Sequence, residues 1–332
     1  MKTFIIAEAG VNHNGDISIA KQLVDEAFKA GVDAVKFQTW KTELLTSKDA
    51  PQAEYQTQNT KKEESQFDML KQLELSYYEF LELKTYCDNV GILFMSTPDE
   101  TESADFLKPL QEIFKIGSGE LTNIPFLRHI SSFKKRIILS TGMGDLDEIS
   151  SALHVLESGV IERSDITLLH ATTMYPTPMK DVNLNAMQTM RDTFNLSVGY
   201  SDHTMGIEVS IAAVAMGAAV VEKHFTLSRK MLGPDHSSSL EPNELKSMVS
   251  AIRNIEQALG DGIKIAKPSE VKNKEVVRKS IIATQVIKKG DVYTEKNLGT
   301  KRCGKGLPAS AWHKVVGLEA NEDYQVDETI RV

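Results

Sequence analysis

A chain of 332 residues with a net charge of −8 can bury a large core without staples, and its acidic balance argues against nucleic-acid binding through a basic surface. No apolar run reaches the roughly 20 residues of a membrane span, and "MKTFIIAEAG" is not the pattern of a signal peptide. Cys87 and Cys303, far apart and outside any C-x-x-C pair, fit a reducing cytoplasm, so a cytoplasmic protein with neither membrane nor nucleic-acid partner is expected.

In chain order, short β-rich runs are predicted at 4–9, 34–39, 92–97, 113–118, 136–141, 166–171, 196–201 and 218–224. Amphipathic stretches lie between them. "ISIAKQLVDEAFKAG" places Ile19, Ala20, Leu23, Val24, Ala27 and Phe28 on one helical stripe, with Gly31 as the stop. The same pattern recurs in "SYYEFLELKTYCDNVG", "DLDEISSALHVLESG", "GIEVSIAAVAMGAA" and "EPNELKSMVSAIRNIEQALG". Strand and helix in alternation predict an α/β fold, and eight such units over a barrel-sized span favour a (β/α)8 TIM barrel at 1–262 over an open doubly wound sheet. No G-x-G-x-x-G follows the first strand, which weighs against a dinucleotide fold. The polar segment 41–66 is long for a loop and reads as a candidate lid. Residues 263–278 are Lys-rich and aperiodic, and are expected to form a linker. Residues 279–332 combine short strands with Gly turns and predict a small β-rich domain of marginal independent stability.

In a barrel of this type, chemistry gathers at the C-terminal strand ends. Glu8 ends the first run, and Lys36 and Gln38 share one face of the second. Thr97, then Lys115, Ser118 and Glu120, then Ser140 follow on the next three. Tyr175 follows the sixth, Ser201 and His203 end the seventh, and Glu222 and His224 end the eighth. Taken singly, each has a bland reading: a lysine that snorkels, a serine that forms a turn, a carboxylate that caps a loop. His170 reads as a satisfied buried histidine. Their convergence on one end of a barrel that otherwise favours branched apolar residues changes the balance. Lys36 and Lys115, with Ser118, Gly119, Ser140 and Gly142, suggest an anion site. His203 and His224 stand at adjacent strand ends and suit a divalent metal with open positions. Glu222, two residues from His224, is expected to support it, and Lys223 to point the other way.

The set "AEAGVNHNG", "VKFQT", "STP", "KIGSGE", "STGM", "YPTP", "SDHT", "EKHFT" and "GPDH" resembles the sialic acid synthase family along nearly the whole barrel. The tail "RKSIIA…IKKGDV…NLGTKRCGKG" resembles the antifreeze-like (SAF) domain of those enzymes. The resemblance implies a transferase that condenses phosphoenolpyruvate with an open-chain 2-acetamido hexose and a divalent ion, Mn²⁺ first, with Mg²⁺ or Co²⁺ as alternatives. By matching motifs, His203 and His224 would hold the metal. Lys36 and Thr97 would meet the phosphoenolpyruvate carboxylate, and Lys115, Ser118, Ser140 and Ser201 its phosphate. Glu8, Gln38, Glu120, Tyr175 and Asp235 would line the sugar side, with Glu120 as the base that activates water. Arg302 would reach the sugar N-acetyl group from the SAF domain of the other copy, implying a domain-swapped homodimer. The sequence departs from the family at Asp99, where many relatives carry an aromatic residue, and at Cys303, where proline is common. Met174, apolar and adaptable, is expected to suit a methyl-bearing deoxy sugar. "GYSDHTMGIEVSIAAVAMGA" is most similar to bacterial legionaminic acid synthases, which favours N,N'-diacetyllegionaminate as product over N-acetylneuraminate. A non-catalytic carbohydrate-binding barrel is the reading from another class, and the joint presence of Glu8, both lysines, Glu120 and both histidines argues against it.

Overall fold

The computed structural model describes residues 2–60 and 64–332. The chain divides into two units, Met1–Gly260 and Asp261–Val332. In the first, parallel strands β1 (Phe4–Gly10), β2 (Ala34–Thr39), β3 (Leu93–Pro98), β4 (Ile113–Ile116), β5 (Arg136–Ser140), β6 (Ile166–Ala171), β7 (Ser197–Asp202) and β8 (Val220–His224) form one sheet in the order 3-2-1-8-7-6-5-4. β1 pairs with both β2 and β8, so the sheet curls into a nearly closed barrel. The remaining seam, between β3 and β4, is bridged by a side chain. Buried Gln111 accepts from Ser96 N (2.7 Å) and donates to Ser96 O (2.9 Å), which satisfies backbone groups that a ladder would otherwise pair. This is the predicted barrel, with strand ends moved by one or two residues. β4 stops early, at Ile116, because Ser118–Glu120 turn into a 3₁₀ helix.

Helices wrap the outside where the apolar stripes predict them. α1 (Ile17–Ala30) starts on Asp16, whose carboxylate accepts from Ser18 N and Ile19 N, and stops at Gly31 in the left-handed region. The segment read as a lid instead carries α2 (Thr42–Leu45) and α3 (Glu54–Thr60), followed by α4 (Gln66–Leu73). Residues 61–63 of it lie outside the described residues. α5 (Tyr77–Val90) opens with a capping box between Ser76 and Glu79. Next come α6 (Thr101–Leu107), α7 (Ile124–Ser131), α8 (Leu146–Glu157), α9 (Asn185–Phe194), α10 (Glu208–Ala215) and α11 (Pro242–Leu259). Alternate strand residues, such as Val35, Phe37, Phe94, Phe114 and Val221, face these helices and form the main core.

The second unit opens with α12 (Pro268–Val277), inside the stretch expected to be an aperiodic linker. Pro268 stands in its first turn, and Glu270 accepts from Lys267 N (3.0 Å). None of its residues is buried, so it carries no apolar stripe for a periodicity argument to detect. β9 (Lys279–Ala283) and β10 (Leu298–Arg302) then pair antiparallel, and α13 (Trp312–Val315) is a single turn. Ile281, Ile287, Tyr293, Leu298 and Tyr324 give this unit a small core of its own.

Candidate active site

Side chains alternate along a strand, so every second residue of each barrel strand points inward. Near the N-terminal ends these positions are apolar. Phe4, Ile6, Ala34, Met95, Ile113, Ile138, Leu169 and Val220 pack together as a plug. β7 contributes Gly199 instead, because a Cβ there would meet Val220 O at 2.2 Å and Leu169 Cδ2 at 2.7 Å. Two residues further along the same faces the chemistry changes. Ile6 gives way to Glu8, Ala34 to Lys36, Met95 to Thr97, Ile113 to Lys115, Ile138 to Ser140, Gly199 to Ser201 and Val220 to Glu222. All of the latter are buried.

Glu222 is the hub of the charged half. Its carboxylate lies 3.3 Å from Lys115 Nζ and 3.7 Å from Lys36 Nζ, and it accepts from Ser201 Oγ (2.9 Å). Burial alone would raise its pKa, but the two ammonium groups outweigh it and hold the carboxyl down at about 2. Lys36 also donates to Thr97 Oγ1 (2.8 Å) and pairs with Glu8 at 2.6 Å. Burial works against its charge, yet Glu222 and Glu8 keep its pKa raised. Lys115 goes the other way, lowered by burial. Burial also pushes the Glu8 carboxyl up to about 8, with Lys36 pulling against it. Two buried lysines thus converge on Glu222 and Glu8 at one end of the barrel interior, the cationic groups that an anion site requires. Beside Lys115, the Ser140 hydroxyl is buried without a hydrogen-bond partner among the described residues. Gly142 N donates to Ser118 Oγ (3.0 Å), and a Cβ on Gly142 would stand 2.4 Å from Thr173 Oγ1 and 2.8 Å from Ser118 Oγ. An unspent hydroxyl is what a ligand oxygen would take up.

His203 and His224 come together as the sequence predicts, with ring centroids 5.7 Å apart. Nδ1 of His203 lies 2.8 Å from the Thr172 carbonyl. A carbonyl only accepts, so the ring proton sits on Nδ1 and Nε2 carries its lone pair, 3.4 Å from Ser201 Oγ, whose proton goes to Glu222. Nδ1 of His224 is buried without a hydrogen-bond partner among the described residues. Burial lowers both pKa values, and the charge of His203 adds to the effect at His224, so both imidazoles are neutral. Two neutral, oriented rings fit a divalent ion. No group of three or more His, Cys, Asp or Glu able to hold a metal occurs among the described residues, so these two would leave most coordination positions to water and substrate. Tyr175 lies against His203 at a tilt of 37° with centroids 4.2 Å apart, and meets His224 edge-on at 5.7 Å.

Above this layer a cavity of about 140 Å³ is lined by Gln38, Asp99, Tyr175, His224 and Asp235 on its polar part. Burial raises Asp235 to about 6, and burial with the nearby Glu120 charge raises Asp99 to about 7. Glu120 sits in the 3₁₀ turn after β4, accepts from Asn123 Nδ2 (2.5 Å), and has its pKa raised by burial. Arg302 lies exposed on β10 of the second unit. Lys223 faces away from the barrel interior, as expected, and pairs with Asp202 at 3.0 Å in full burial. His170 is satisfied by Val182 O at 2.8 Å. Met174 departs from expectation. It is 49% exposed and does not line the cavity. The sequence places Asp99 at a wall of the site as a departure from the family, and gives Glu222 only a supporting role. For Glu222 the signal was available, since it falls on an inward position of the period-two register of β8.

The family model described as "NeuB family" matches residues 23–264. The chain is 51% identical to the N,N'-diacetyllegionaminic acid synthase of Campylobacter jejuni, covering 99% of each chain. It is 44% identical to the protein of the same name from Legionella pneumophila, over 99% of this chain and 94% of that one. Among solved structures, the N-acetylneuraminic acid (sialic acid) synthetase of Leptospira borgpetersenii superposes with a TM-score of 0.72 at 35% identity, covering 83% of this chain and 91% of that one. The chain belongs to the NeuB family.

Proposed function

We propose that the barrel condenses phosphoenolpyruvate with an open-chain 2-acetamido hexose and water, releasing phosphate and a nonulosonic acid. The favoured sugar is 2,4-diacetamido-2,4,6-trideoxymannose, giving N,N'-diacetyllegionaminate. The names of the Campylobacter and Legionella relatives support that choice. The observation that carries the reading is the switch above the plug. Two buried lysines and an unspent serine hydroxyl suit a multiply charged anion, beside two neutral histidines with lone pairs to offer.

Lys36 and Thr97 would hold the phosphoenolpyruvate carboxylate, and Lys115, Ser118, Ser140 and Ser201 the phosphate. Glu8, Gln38, Tyr175 and Asp235 would border the sugar. A divalent ion on His203 and His224, Mn²⁺ first and otherwise Mg²⁺ or Co²⁺, would polarise the sugar aldehyde. Carbon 3 of phosphoenolpyruvate forms the new bond to the aldehyde carbon. The aldehyde oxygen takes up a proton from solvent to become a hydroxyl; the neighbouring carbon takes up water, one proton of which passes to Glu120, and the C–O bond to phosphate then breaks as the second water proton leaves with the phosphate, giving the ketone. A base must be ionised yet basic, and burial moves the Glu120 pKa in the basic direction. The Lys115 ammonium stabilises the departing phosphate.

The second unit is proposed as a SAF domain, its Arg302 reaching the sugar of the other copy in a swapped homodimer. A cytoplasmic setting fits the free Cys87 and Cys303, and no described helix is long and apolar enough to cross a membrane. The test is phosphate release from phosphoenolpyruvate across a panel of acetamido hexoses, with and without chelator. Release with the trideoxy sugar, faster than with N-acetylmannosamine and lost with chelator, is expected. Release with no sugar in the panel would overturn the reading in favour of a binding barrel.

A further inference from the structure

We infer that an apolar wall built by α4 and the residues after β1 and β2 selects sugars that end in a methyl group over those that end in a hydroxymethyl. This rests on the condensation proposed above. Beyond its polar part, the cavity beside His224 is lined by Val11, Trp40, Met69, Leu70 and Leu73. These residues form one contiguous cluster, separate from the main core. Val11, Trp40, Met69 and Leu73 are buried, and Leu70 is half-buried.

The polar atoms of the wall and of the residues that hold it are engaged with one another. Trp40 Nε1 donates to Thr42 Oγ1 (3.1 Å), and Thr42 donates through both its backbone N (3.0 Å) and its hydroxyl (2.7 Å) to Glu74. Lys71 closes the same carboxylate at 3.1 Å. This clasp fixes α4 against α2, and apolar residues of α4 line the cavity. Gln56, also at the lining, has its Oε1 committed to Ala53 N (2.9 Å). A hydroxyl placed against Val11, Trp40, Met69, Leu70 and Leu73 would lose water and meet no polar side-chain atom of theirs except the committed Trp40 Nε1, whereas a methyl would gain packing. The polar groups at the other part of the lining, Gln38, Asp99, Tyr175 and Asp235, suit the hydroxyl and acetamido groups of the same sugar. The cavity thus takes a molecule that is polar at the metal end and apolar at the far end. The role that Met174 was expected to play falls to Met69 and its neighbours.

The experiment compares kcat/KM for 2,4-diacetamido-2,4,6-trideoxymannose with that for its 6-hydroxy counterpart, in the full chain with metal. The unaltered protein should favour the methyl sugar by about 10- to 100-fold. Met69→Gln should bring the ratio to within about threefold of unity, while Met69→Leu keeps it. Leu70→Gln, at a half-buried position, reads the same wall if Met69→Gln melts early. The KM for phosphoenolpyruvate reports that the charged layer is intact. Sugar-dependent phosphate release with a ratio near one, or a ratio unmoved by both glutamine variants, overturns the wall and leaves the condensation standing. No release with any sugar overturns both.

Discussion

The two ends of the barrel interior are built on the same strands with the same two-residue register, yet they do opposite things. At the N-terminal end, Ile6, Ile138, Leu169 and Val220 fill space and ask for nothing else. Two residues on, Ser140 carries a hydroxyl without a hydrogen-bond partner among the described residues, and Glu8 and Glu222 share two buried lysines. The plug contributes stability through burial and close packing. The polar layer costs stability, through desolvated charges and an unspent hydroxyl, and that cost is what a ligand relieves. One strand can serve both ends because only the side chains change while the backbone ladder continues.

Substitutions at the two ends should therefore separate. The largest effect is expected at the turn above the polar layer. Glu120→Gln should lower kcat by about 10²–10⁴-fold while phosphoenolpyruvate still binds. Normal turnover by this variant would remove Glu120 from the chemistry. Lys115→Met should lower kcat by about 10²–10³-fold. It should also destabilise the protein by about 3–5 kcal/mol, because Glu222 loses a partner while staying buried. Thermal unfolding beside the phosphate assay reads both.

The sharpest comparison lies on one face of β5. Ile138→Ala, in the plug, should cost about 2–5 kcal/mol of stability and leave kcat of the folded enzyme unchanged. Ser140→Ala, two residues further, should do the reverse. It should raise the KM for phosphoenolpyruvate about tenfold or more, since a hydroxyl donating to a charged oxygen is lost. Its Tm should hold or rise, because the hydroxyl removed has no hydrogen-bond partner among the described residues. Equal stability losses at both positions would erase the distinction between plug and site.

The smallest effect concerns the loop after β1. His13 is fully buried and His236 packs nearby, bonded to Thr226 Oγ1 at 2.7 Å and Asn14 Oδ1 at 3.1 Å. Burial lowers both to about 4, and the charge of His236 adds to this at His13. Between about 4 and the ordinary 6.5, the unfolded chain binds protons that the folded chain refuses. Their contribution is present above the ordinary value and lost as pH falls toward 4. His13→Asn should flatten the fall in Tm between pH 7 and pH 5, and an unchanged slope would remove His13 from that balance.

Most of the barrel was legible because buried parallel strands and amphipathic helices leave periodic marks. Where the marks were absent, the reading failed. α12 has no buried face, so its residues read as a linker. α2 and α3 are short and polar, so their segment read as a loop. The site residues were legible as strand ends, and the resemblance supplied their proposed roles. What sequence could not supply was long-range contact. Asp99 becomes a cavity wall only because β3 stands beside β2. Met69 becomes one only because Glu74 clasps Thr42 and sets α4 over Trp40.

The central claim is a condensation that breaks the C–O bond of phosphoenolpyruvate at the layer above the plug. Phosphoenolpyruvate labelled with ¹⁸O at the bridging oxygen, turned over with the trideoxy sugar and metal, tests it most directly. The account predicts that the label leaves in the released phosphate. Label retained in the ulosonic acid would mean P–O cleavage and would contradict it.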